Sequence, residues 1–137
     1  GCTRHAVGEP GMMRGLPLLV LLAACDATPP RVDPKGQQLR TELDRMTRDY
    51  TACVDKQVAA ADVSNDPAGS IAIAAVKACR PLRKALTLKV ASFDRFGHPQ
   101  HSANQAEIVA EASVGVIEKD LREQAVVTIV KRQNMDR

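Results

Sequence analysis

The chain has 137 residues, 45% of them apolar, and a formal net charge of +3. That balance is too slight to argue for a nucleic-acid partner. With one Tyr, two Phe and no Trp, there is also no aromatic platform for stacking bases or sugars. Ala, Val and Leu prevail instead, and they suit thin, closely packed helices.

The first element in chain order is a leader. Met12-Met13-Arg14-Gly15 gives a basic start, Leu16 to Leu22 an apolar middle, and Ala23-Ala24 a small pair before Cys25. An apolar middle partitions into a bilayer while Arg14 stays on the cytoplasmic side. The run is too short to cross, because a spanning helix takes roughly 20 apolar residues. Leu22-Ala23-Ala24-Cys25 resembles the lipobox, the processing signal of bacterial lipoproteins. The resemblance implies that Cys25 becomes the mature amino terminus, with a diacylglycerol thioether and an amide-linked acyl chain. Several chains anchor a protein firmly where one alone does not. It also implies a periplasm-facing place in the cell envelope. Asp26 resembles the enterobacterial signal for retention at the inner membrane. On this reading residues 1–24 are upstream extension and signal peptide, 25–35 are lipidated Cys and tether, and 36–137 are a helical domain. Removing Arg4, Arg14 and Glu9 with the leader leaves a charge of +2.

Pro29, Pro30 and Pro34 make residues 26–35 an extended tether, on the order of 3 Å per residue if polyproline-like. The first helix is then expected from about Gly36 to Asp62. Leu39, Leu43, Met46, Tyr50, Cys53, Gln57 and Ala60 recur in steps of three and four, the mark of one helical face. Ser64-Asn65-Asp66-Pro67 stops it and caps its successor. The second helix is expected from about Pro67 to Phe96, with a stripe of Ala72, Ala75, Cys79, Leu82, Leu86, Val90 and Phe93. Pro81 removes a backbone donor inside it and should kink or split it near Ala78. Gly97 is expected as a left-handed cap. The third helix begins at Pro99 or Ser102, where Ser102-Ala103-Asn104-Gln105 fits a capping box, and runs to Asn134. Its expected inner face is Val109, Ala110, Val116, Ile117, Leu121 and Thr128. Ala125 to Val130 is apolar and rich in β-branches, and without a partner strand it reads as helix.

Four cysteines are present. With Cys2 in the leader and Cys25 lipidated, Cys53 and Cys79 remain as a pair in an oxidising compartment. Their midpoint falls at Asp66, within the turn between helices one and two. Residues equidistant from that point face each other in an antiparallel hairpin: Tyr50 with Leu82, Met46 with Leu86, Leu39 with Phe93. A Cys53–Cys79 disulfide about 20 Å from the turn follows. Closing such a loop contributes roughly 3 kcal/mol by chain entropy. The expected fold is therefore all-α, three helices running up, down and up, with a stapled hairpin and a long C-terminal helix.

Few residues suggest chemistry. The two thiols lack CxxC spacing, so a redox role is not expected. His98 and His101, with Asp94, are the one candidate set of metal ligands, but they straddle a turn and read as solvated, so no metal is expected. Arg80-Pro81-Leu82-Arg83-Lys84 is a basic cluster that reads as a wet helix face. Glu107, Glu111 and Glu118 read the same way. No nucleophile–base pair or phosphate loop appears, and neither enzyme activity nor a cofactor is expected. The expected role is a membrane-anchored, non-catalytic lipoprotein that binds or stabilises another envelope protein. Its size, tether and hairpin are similar in architecture to secretin pilotins and plasmid exclusion lipoproteins. The alternatives are an apolar-ligand module between kinked helices and a periplasmic helical-hairpin chaperone or sensor. The latter's Leu-Thr-x-x-Gln signature fails at Leu86-Thr87-Leu88-Lys89.

Overall fold

The described architecture begins at Asp33 and Pro34. The computed structural model describes residues 33–135, so the leader, Cys25 and the tether as far as Val32 lie outside the described residues. Four helices follow one another: α1 (Pro34–Ala60), α2 (Ala68–Ala78), α3 (Arg80–Gly97) and α4 (Ala103–Met135). Among the described residues there is no strand, and no helix is long and apolar enough to cross a membrane.

α1 starts two residues earlier than expected, which takes Pro34 and Lys35 from the tether. The Asp33 carboxylate accepts the Lys35 backbone N–H at 2.8 Å, and Pro34 occupies the first turn, where its missing donor costs nothing. The helix also ends earlier, at Ala60. Its buried residues are Tyr50, Val54 and Val58, so Gln57 and Ala60 of the expected stripe face outward. Strict four-residue steps turn a stripe slowly around a helix of 3.6 residues per turn. The inner face therefore drifts to the valines.

The second expected helix is split in two at Cys79. Pro81 lies in the first turn of α3, and the Cys79 carbonyl accepts from Leu82 and Arg83 at 3.1 and 3.2 Å, starting a new helix where the old one stops. The break thus comes from a residue that cannot donate to the preceding turn. α2 lacks the side-chain cap expected from Asn65 or Asp66, and Pro67 itself sits at the cap position. Gly97 is not the left-handed cap but the last residue of α3. His98 closes the helix with φ −130° and ψ 75°, its N–H on the Asp94 carbonyl at 2.7 Å. Pro99 follows, and a residue before proline is driven out of the helical region.

The capping box at α4 is formed. Ser102 N–H donates to Gln105 Oε1 at 2.8 Å, and Gln105 N–H donates to Ser102 Oγ at 3.2 Å. Ala125 to Val130 is helical, as expected. The expected inner face of α4 holds in part: Ala110 and Leu121 are buried and Ile117 packs against the core. Ala106, Ala110, Val114, Leu121, Ala125 and Ile129 are buried, whereas Val109, Val116 and Thr128 are exposed. Small Ala side chains let neighbouring helices approach closely, and a hydropathy scale undervalues them for that.

α4 touches all three other helices. The core gathers Tyr50, Val54, Leu86, Val114 and Ile129 around Cys79. Each buried Leu or Ile contributes about 1.5–3 kcal/mol by leaving water. At the far end α1 meets α3 closely: a Cβ on Gly36 would lie 3.3 Å from the Phe96 ring. The Lys35 ammonium sits 5.4 Å from that ring's centroid.

Candidate functional site

The disulfide is where the sequence places it. Cys53 and Cys79 are joined, with Cα atoms 6.0 Å apart. Cys79 is 1% exposed, and its position at the α2–α3 break makes it part of the core rather than a reactive thiol.

Around the break lies a cleft of about 540 Å³ with Lys77, Arg80, Lys84 and Arg122 on its walls. Arg83 crosses its floor to α4. Its Nε donates to Glu118 Oε2 at 2.5 Å and its Nη2 to Glu111 Oε2 at 2.9 Å. The hydrogen bond to Glu111 is the main reason its guanidinium holds its proton more firmly than usual, despite partial burial. The Tyr50 hydroxyl points at the same Glu118 carboxylate at 3.4 Å. Burial pushes the Tyr50 pKa up to about 12, and the Glu118 charge and hydrogen bond add to it. Arg83 is thus an internal cross-link between α3 and α4, not a member of a wet basic face. Glu118, half-buried, is more than surface. Sequence reasoning missed this trio. Its signal was opposite charge at equivalent heights on two helices, which becomes visible only once the register of α3 on α4 is known.

The three weak metal candidates come together. Asp94 is buried on the last turn of α3, with its carboxylate side chain only 8% exposed. His101 Nδ1 lies 2.7 Å from Asp94 Oδ2, and His98 Nδ1 lies 3.4 Å from Oδ1. The two imidazole rings stack with centroids 4.8 Å apart and planes 14° from parallel. One ligand atom from each of the three residues fits within 4.8 Å of the others. The solvated-turn reading needs correction here: His98 is exposed, but His101 is half-buried and Asp94 is enclosed. A three-residue spacing across a tight turn returns both rings to one acid four residues before the first of them.

A third feature is apolar. Gly69 and Ile73 of α2, with Val126 and Val127 of α4, line a shallow groove of about 420 Å³. Ile73 and Val127 are 56% and 54% exposed.

Among the described residues no nucleophile with an adjacent base emerges from these clusters. The chain matches no protein-family model, no curated protein and no solved structure.

Proposed function

We propose that the protein is a lipid-anchored component of the bacterial cell envelope, tethered through Cys25, whose helical unit docks onto another envelope protein without catalysing a reaction. The leader and Cys25 supply the address. The buried Cys53–Cys79 bond agrees with it, because such a bond persists outside the reducing cytosol. Asp26 favours the inner membrane.

In this reading the helices run up, down and up, with α2 and α3 sharing the downward leg. Support comes from Gly36 beside Phe96, Glu42 on Lys89 at 3.0 Å and Arg83 on Glu111, each near the height that the stapled hairpin and its return helix require.

The observation that carries docking is the groove of Gly69, Ile73, Val126 and Val127. Ile73 and Val127 stand uncovered beside each other there, with Arg122 and Glu123 on the same lining, and offer a small apolar seat for a partner's side chain. The space adjoining the Pro81 break would have favoured an apolar ligand had it been an apolar cavity. It is instead a cleft in which five cations and two glutamates outnumber Ile73 and Val76, with Arg83 crossing to Glu111 and Glu118.

Two measurements test the proposal. Cys25→Ala should abolish labelling by fatty-acid analogues and release the protein from membranes; unchanged labelling refutes the address. Photo-crosslinking from position 73 or 127 in the native host should capture a defined envelope protein. Ile73→Asp should abolish that capture while leaving the circular dichroism spectrum helical. Capture that survives this substitution removes the groove from the account.

A further inference from the structure

The enclosed carboxylate at the end of α3 poses a question of charge. Asp94 is 8% exposed, and among the described residues its ion-pair neighbours are His98 and His101 alone, with no Lys or Arg in reach. A carboxylate enclosed this far from water calls for partners at both of its oxygens, and a divalent cation held between it and the two rings would supply one.

We propose that Asp94, His98 and His101 form a binding site for a zinc-class divalent ion, taking one carboxylate oxygen and the two Nδ1 atoms as ligands. The spacing suits this. Tetrahedral zinc with bonds near 2.0–2.2 Å sets its ligands about 3.3 Å apart. His98 Nδ1 lies 3.4 Å from Asp94 Oδ1 and His101 Nδ1 lies 2.7 Å from Oδ2, so a small turn of the carboxylate is needed to present one oxygen to both rings, whose ligand atoms already lie within 4.8 Å of one another. Each imidazole carries its proton on Nε2 when Nδ1 takes the metal. Two imidazoles and one carboxylate select zinc, nickel or copper over calcium or magnesium, which prefer oxygen alone. Water completes the coordination on the side where His98 is exposed.

The turn is built before any ion arrives. His98 N–H is fixed on the Asp94 carbonyl at 2.7 Å, His101 N–H on the His98 carbonyl at 2.9 Å, and the capping box of Ser102 and Gln105 holds the next residue. Ligands held this way lose little freedom on binding. The inference does not depend on the membrane address or on the apolar groove.

The test is calorimetric titration of Zn²⁺ into the full chain purified without a histidine tag. The background carries Cys2→Ser, Cys25→Ser and His5→Ala, so that no other free thiol or imidazole competes. One equivalent should bind, and the melting temperature should rise with added zinc. His98→Ala and His101→Ala should each weaken binding at least about tenfold. His98→Ala removes an exposed ring and leaves folding intact, so it decides even if Asp94→Asn fails to fold. If His101 serves only to pin the turn, its alanine variant lowers the melting temperature while zinc shifts neither protein. Absence of binding, or binding unchanged in both alanine variants, overturns the proposal.

Discussion

The two ends of the bundle solve the same problem in opposite ways. At each, a helix stops and leaves backbone carbonyls without partners. Between α1 and α2 the partners come from far along the chain. Arg132 donates to the carbonyls of Val58 and Ala61 at 2.6 and 3.1 Å, and Gln133 donates to those of Val63 and Asp66 at 2.9 and 3.0 Å. Local contacts add to these: the Ala61 N–H donates to the Val58 carbonyl at 3.3 Å, Asp62 accepts the Ser64 backbone N–H and hydroxyl at 2.9 and 2.6 Å, and Asn65 Nδ2 donates to the Ser64 hydroxyl at 2.9 Å. The Ser64 hydroxyl, then its N–H, holds the Asp62 carboxyl below its usual range. Between α3 and α4 every partner is local: His98 on Asp94, His101 on His98, Ser102 with Gln105. One end is therefore fixed by tertiary structure and the other by its own few residues.

Breaking the bond nearest the first end should have the largest effect. Replacing Cys53 and Cys79 with Ala should cost roughly 3 kcal/mol, read as a lower urea midpoint. The same loss should appear in the wild-type protein under reductant. Arg132→Ala and Ser102→Ala then compare the two ends directly. The first leaves two carbonyls without a charged donor and should cost about 1–2 kcal/mol. Amide exchange should quicken across residues 61–67 and in the last turn of α1. The second removes one local cap, costs about 1 kcal/mol, and should quicken exchange only at the start of α4. If Ser102→Ala also loosens residues 61–67, the ends are not independent. Tyr50→Phe lies between them and should be the mildest at neutral pH. Tyr50 keeps its proton to about pH 12 when folded but releases it near 10 when unfolded. Its contribution is therefore complete below pH 10 and is lost as pH rises from about 10 to 12. The phenylalanine variant should lack that part of the alkaline loss.

The same contrast explains what could be read from the amino acids. The capping box, the Pro81 break and the Cys53–Cys79 pair depend on residue type at short or symmetric spacing, and all three are present. The clamp of Arg132 and Gln133 was invisible, because nothing near either residue announces a loop some seventy positions earlier. The inner face of α4 was legible only in part for a related reason: Ala106 and Val114 are inside because other helices pass close by, which no local pattern encodes. Of the candidate site, Asp94, His98 and His101 could be named from spacing alone. Their convergence depended on how tightly the chain turns at Pro99.

α4 comes last in chain order, spans 33 residues and touches every other helix. During vectorial synthesis α1, α2 and α3 can pack on one another, but the inner faces that α4 covers stay open until it emerges. α2, at 11 residues, is too short to persist as an isolated helix in water. The nascent polypeptide should therefore complete its core only when its final quarter, residues 103–137, has been made.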